Sequence, residues 1–178
     1  MTGIAPVRVE LVDWHVLTTA EREDVAGLEI SAEQLEFAGS MAKSIAACEA
    51  GDPAEVAGLA IRVGDEIVGW VLLKRGSSAP DWVGAEAAVV SGLRVDRRQQ
   101  GRGIGPSALS AMAQWVARHW PPAARLTLRV DDGNVAGIRA YEKAGWREVG
   151  ERRIGRVGVE RTLQLQLRAV CATARARA

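Results

Sequence analysis

The run Gln100-Gly101-Arg102-Gly103-Ile104-Gly105 holds the residues whose types and spacing point most directly to chemistry. Alternating glycines let successive main-chain N–H groups turn into one concavity, and a helix starting there adds unpaired donors and the positive end of its dipole. Such a nest suits a pyrophosphate. Arg97, Arg98 and Arg102 add positive charge for a further phosphate. The same glycines also suit a plain tight turn. Two nucleotide-binding patterns fail on spacing. The dinucleotide fingerprint requires G-x-G-x-x-G after an early strand, whereas these glycines run G-x-G-x-G in mid-chain. The P-loop requires Gly-Lys-Ser/Thr, and Ile104-Gly105-Pro106 supplies neither the lysine nor the hydroxyl.

The elements around this loop are legible from periodicity. Val7–Val12 alternates as a strand, and Thr18 or Thr19 caps a short helix with Glu21 and Glu23 in its first turn. Ser31 and Gln34 form a capping box for a second helix, whose Leu35, Ala38, Ala42 and Ile45 recur at helical spacing. Val56–Val63 and Glu66–Lys74 flank a Gly64-Asp65 turn as a hairpin, and the Gly/Ser/Pro-rich segment 75–84 is a loop. A fourth strand spans about Ala87–Asp96, with Gly92 marking a bulge or a close backbone approach. The helix after the glycine loop carries the stripe Ile104, Ala108, Met112 and Trp115, and Pro121-Pro122 stops it. Leu126–Val130 reads as a strand, and a helix runs from an Asn134 cap to Gly145. A final hairpin spans Trp146–Ile154 and Val157–Leu167. The order β-α-α-β-β-β-α-β-α-β-β predicts an α/β (α+β) domain with a mixed sheet, not a doubly wound one.

Composition limits the alternatives. The chain has 178 residues, 48% hydrophobic and 25% charged, with a formal net charge of +1. This predicts a single globular domain over residues 1–168 and a frayed tail at 169–178, next to Arg168. It argues against nucleic-acid or membrane-surface partners. Cys48 and Cys171 imply neither a disulfide framework nor a metal site, and no targeting or membrane-spanning segment is visible, so the expected compartment is the cytoplasm.

The run from Leu93-Arg94-Val95 through Gln100-Gly101-Arg102-Gly103-Ile104-Gly105 resembles the acetyl-CoA-binding motif R/Q-x-x-G-x-G/A of the GNAT family of N-acetyltransferases. Further on, Asn134 to Trp146 resembles that family's N-x-x-A-x-x-x-Y-x-x-x-G-F, with Gly137 in place of alanine and Trp146 in place of phenylalanine. The resemblance covers roughly Val56 to Leu167. It implies a twisted, mostly antiparallel sheet of six to seven strands flanked by about four helices, with the fourth and fifth strands splayed apart. Acetyl-CoA would lie in that gap. Backbone groups of Leu93, Arg94 and Val95 would bind its pantetheine, N–H groups from Gln100 to Gly105 its pyrophosphate, and Asn134 its pantetheine arm. No metal is required, and a homodimer is compatible with the family.

By the same resemblance the reaction is direct attack of an amine on the thioester. An alkyl ammonium with pKa near 10.4 costs about 4–5 kcal/mol to deprotonate at neutral pH, so a carboxylate or a water chain ending in one must receive the proton. Glu86, just before the fourth strand, is the first choice, then Asp81 and then Glu36. Tyr141, the chain's one tyrosine, occupies the general-acid position opposite the leaving thiolate. His15 and His119 read as structural. Leu28-Glu29-Ile30 with Gln34 and Phe37 is similar to a segment of bacterial diamine and polyamine acetyltransferases. Glu29, Glu33 and Glu36 would then match spaced ammoniums, with Phe37 lining the site. Acetylation of a protein or antibiotic amine stays open, as does a non-catalytic acyl-CoA-binding module on the same fold.

Overall fold

The computed structural model describes residues 7–167. The tail expected at 169–178, including Cys171, lies outside the described residues. The chain order is β1 (Glu10–Asp13), α1 (Thr19–Ala26), α2 (Ala32–Ala38), α3 (Met41–Ala50), β2 (Val56–Val63), β3 (Glu66–Lys74), β4 (Ala87–Val95), α4 (Ile104–His119), β5 (Arg125–Asp131), α5 (Val135–Lys143), β6 (Arg147–Ile154) and β7 (Val159–Gln166). One seven-stranded sheet has the order β1-β2-β3-β4-β5-β7-β6, antiparallel throughout except for the parallel β4–β5 pair.

Local chemistry explains where the first helices begin. Thr18 and Ser31 close capping boxes with Glu21 and Gln34, and the Ser40 side chain accepts from the Lys43 N–H. The single second helix expected after Ser31 is two. Gly39, at φ 70°, ends α2, and Ser40 caps a fresh helix, so the periodic stripe crosses a break.

Helices cover both sheet faces. Ala57 and Leu59 of β2 pair with Leu73 and Val71 of β3, and these pack with Leu109, Met112 and Val116 of α4. On the opposite face Ala60 sits across from Trp70, which packs with Trp14, Val25 and Cys48 and donates its indole N–H to Ser44 Oγ at 2.8 Å. Because both faces are covered, β2 and β3 are buried for most of their length.

The relationship that makes a site is between β4 and β5. They pair only over Ala87–Val89 and Arg125–Thr127. Beyond Val89 the strands separate. Gly92 sits at φ 63°, in the left-handed region, where the β3–β4 register slips between Trp70 and Leu72, as a bulge requires. The bulge bends β4 away from β5 and opens a gap in the middle of the sheet.

Candidate active site

The gap continues into a cavity of about 1100 Å³ that runs from the glycine loop, between β4 and β5, to the turn between β6 and β7. Its lining includes Gln100, Gly101, Gly103, Ile104, Gly105, Leu93, Arg94, Val95, Asn134, Tyr141 and Phe37, all positions singled out from the sequence. The fold brings these together. It leaves Glu86, Asp81, Glu29 and Glu36 outside the lining.

At the loop end, Gly101 and Gly103 take φ 76° and 80°, and a Cβ built on either, or on Gly105, would meet nothing within 4 Å. Gly103 is the N-cap of α4 and has no side-chain capping bond; Pro106, in the first turn, has no N–H to satisfy. The helix therefore presents its first backbone donors and its positive dipole end to the cavity. The extra charge expected of Arg97 and Arg98 is spent inside the protein. Arg97 Nε lies 2.9 Å from Glu29, and Arg98 forks onto the buried Asp96 at 2.7 and 2.9 Å. That fork, together with backbone N–H groups of Arg98 and Glu29, holds the Asp96 carboxyl well below the usual carboxylate range. Arg102 bonds the Gln99 side chain. Arg139 of α5, absent from the sequence-based candidates, is an exposed cation that does line the cavity.

In the strand gap, the Asp96 N–H donates to the Val68 carbonyl of β3 at 2.8 Å. Successive residues alternate sides, so the main-chain groups of Val95 and Leu93 face the opening. Gln100 Nε2 takes the Val95 carbonyl at 3.1 Å, which leaves the Val95 N–H and the Leu93 groups on the free edge. Arg94 is buried at 4% exposure and donates to the Ala38, Gly39 and Gly92 carbonyls. It thereby fastens the end of α2 to the bulge and satisfies carbonyls that α2 cannot.

Tyr141 is half-buried on α5, with Trp146 edge-on at 5.6 Å between ring centroids. Desolvation pushes its phenol up to about 12. Asn134 caps α5 by accepting the Gly137 N–H at 3.0 Å. A Cβ at Gly137 would come within 2.7 Å of the Asn134 amide, so this seating of the cap goes with glycine where the family pattern has alanine.

Several carboxylates expected at the acceptor end lie away from the cavity. Glu86 is exposed, and its carbonyl accepts from Ala124 N–H, next to the end of β4 that stays paired with β5. It therefore lies on the closed end of the gap rather than the open one. Asp81 is exposed in the preceding loop. Glu29 is tied to Arg97, and Glu36 is exposed on α2 with its carbonyl bonded by Arg156. The Glu33 side chain lies outside what the structure describes. His15 and His119 do not line the cavity; His119 stacks on Trp115. Of Glu29, Glu36 and Phe37, only Phe37 lines it.

In their place stand residues that sequence reasoning missed: Asp131 at the end of β5, Glu160 of β7, Arg129 and Arg156. Asp131 Oδ1 accepts the Gly133 N–H at 2.8 Å, while its buried Oδ2 has no donor among the described residues. Asp131 and Glu160 are register partners across β5–β7. The signal in the sequence was Asp131-Asp132 just ahead of the Asn134 cap, a strand end aimed at the same cavity as Tyr141.

A sheet opened along one strand edge, with a backbone nest, a tyrosine and a carboxylate bordering one cavity, is a frame that suits a long phosphorylated ligand. Residues 14–146 match the family model for the acetyltransferase (GNAT) family, and the chain belongs to that family. The fold agrees. The GNAT domain of S. lividans PAT superposes with a TM-score of 0.67 at 23% identity, covering 89% of each chain. Spermidine N-acetyltransferase from Vibrio cholerae, in complex with CoA and spermine, gives 0.70 at 13% identity over 92% of this chain and 98% of that one. The aminoglycoside acetyltransferase AAC(6')-Ib in complex with coenzyme A gives 0.69 at 16%, covering 94% and 98%. No curated protein sequence matches the chain. Among the described residues no cluster of three or more His, Cys, Asp or Glu is placed to hold a metal ion, and no helix is long and apolar enough to cross a membrane.

Proposed function

We propose that the protein transfers an acetyl group from acetyl-CoA to the primary amine of a small molecule by direct attack, with Asp131 as proton acceptor and Tyr141 beside the leaving thiolate. The observation that carries this reading is the continuity of one cavity from the Gly101–Gly105 nest, along the free edge of Leu93 and Val95, to Tyr141 and Asp131. The nest takes the pyrophosphate, and the β4 edge takes the pantetheine amides as a short extra strand would. Asn134 borders the same arm.

The amine nitrogen forms the new N–C bond as the C–S bond breaks. Its proton passes to the Asp131 carboxylate, whose Oδ2 has no donor among the described residues. The sulfur keeps the electron pair of the broken bond and receives the Tyr141 hydrogen bond. A phenol near 12 facing a thiol near 8.5 leaves full proton transfer uphill by about 5 kcal/mol, so Tyr141 acts by hydrogen bonding to charge as it develops.

Polyamines are the natural comparison because a spermidine acetyltransferase shares the fold. The carboxylates that would have matched them, Glu29 and Glu36, do not line this cavity. Thiol release from acetyl-CoA, measured across a panel of primary amines, tests the proposal. Release with at least one small amine supports it. Acetyl-CoA binding with no release for any amine supports the non-catalytic module instead.

A further inference from the structure

The β5 strand carries a second feature two residues before Asp131. Arg129 lines the cavity, and its buried Nε has no hydrogen-bond partner among the described residues. Its guanidinium lies 3.8 Å from the centroid of the Trp82 ring. Stacking of this kind fixes the plane of the fork while leaving its N–H donors unused. The groups that face it are Arg153 of β6 and Glu160 of β7. Glu160 attracts it only in part and makes no hydrogen bond or ion pair with it; its carboxyl folds under the β6–β7 turn, where it would overlap a Cβ on Gly155. Desolvation first and Arg153 second lower the guanidinium's pKa, and Glu160 offsets only part of that.

Residues two apart on a strand share a face, about 6.6 Å apart along it. Arg129 and Asp131 therefore present a stacked, unpartnered cation and an unpartnered carboxylate oxygen side by side in one cavity. A half-buried charge that lacks a partner is partly desolvated at a cost, and a ligand of opposite charge relieves that cost. We infer that the acceptor is an amino-carboxylate: a small molecule whose amine is received by Asp131 and whose carboxylate is received by the Arg129 fork. An arginine fork matches a planar carboxylate through two parallel hydrogen bonds. The same arginine repels the second ammonium of a diamine. This assignment rests on the transferase reading for its reaction and on Arg129 for its specificity.

The test uses acceptor pairs that differ by one carboxylate: lysine against cadaverine and ornithine against putrescine. Each is titrated calorimetrically into the protein saturated with CoA, and each is assayed for thiol release from acetyl-CoA. The expected result is tighter binding of the amino acid by about 10- to 100-fold, the range for a hydrogen-bonded charged group. Arg129→Gln should remove that preference by weakening the amino acid and, with the repulsion gone, binding the diamine no less tightly. Trp82→Leu, which unseats the stack and leaves the charge, should shrink the preference in part and guards against a misfolded R129Q protein. Equal or tighter binding of the diamine, no measurable binding of either member, or a preference that survives R129Q overturns the inference. Carboxylate-selective binding without thiol release would sustain the specificity and sink the transfer reaction.

Discussion

Gln100 Nε2 lies 2.9 Å from Gln34 Oε1 and 3.1 Å from the Val95 carbonyl, so one side-chain amide joins the start of α2, the end of β4 and the phosphate nest. Gln34 is also the third residue of the α2 capping box. The α2 helix and the glycine loop are thereby one hydrogen-bonded unit.

Gln100→Ala should loosen that unit without touching the reacting atoms. A net hydrogen bond of about 1 kcal/mol corresponds to roughly a fivefold rise in the KM for acetyl-CoA, with kcat within twofold. Steady-state kinetics with acetyl-CoA varied would show it; an unchanged KM would mean the link is dispensable.

Tyr141→Phe keeps the ring that packs on Trp146 and removes the hydroxyl. We expect kcat to fall about 100-fold or more, with acetyl-CoA affinity little changed. Because burial holds the phenol near 12, the wild-type rate should show no alkaline loss from this group below about pH 11. The same raised pKa gives a stability term present below pH 10, the unfolded phenol's range, and lost as pH rises toward 12. The Y141F protein should lack that loss in alkaline thermal melts.

Asp131→Asn retains an oxygen for the Gly133 N–H and removes the basic one, so folding should be preserved while kcat/KM falls by about 100-fold or more. Its pH–rate profile should lose the limb that reports the base. Glu86→Gln, on the closed end of the gap, should leave both rate and profile intact. The reverse pattern would return the role to Glu86.

Asp96 is 2% exposed and held by the Arg98 fork. Its folded-state pKa is depressed, so its stabilisation is present above the unfolded value near 3.8 and is lost as pH falls below that. Asp96→Asn should lower the melting temperature at pH 7 and make the acid end of the stability curve shallower. Loss of the Arg98 anchoring should also raise the KM for acetyl-CoA, since that residue leads into the nest.

Much of this architecture was legible in the chain. The bounds of β2 and β3 follow from alternation either side of Gly64-Asp65, and the nest follows from glycines ahead of a helical stripe. The break between α2 and α3 was not, because the apolar period continues across Gly39 and only its left-handed backbone stops the helix. Glu86 falls at the closed end of the gap for a different reason. Proximity along the chain to β4 suggested Glu86, but which end of β4 borders the gap depends on where β4 and β5 part.

The sequence by itself determined the donor: the order strand, glycine nest, helix and the later Asn134/Tyr141 helix are local patterns, and short-range sterics and hydrogen bonding specify them. The tertiary structure decided the acceptor side. Arg129, Asp131 and Glu160 share a face only through the pleat of β5 and its register with β7, and Arg129 meets Trp82 only because a distant loop folds over it. The Arg129–Asp131 spacing is local, but the relations to Glu160 and Trp82 are through space, and no spacing along the chain encodes them.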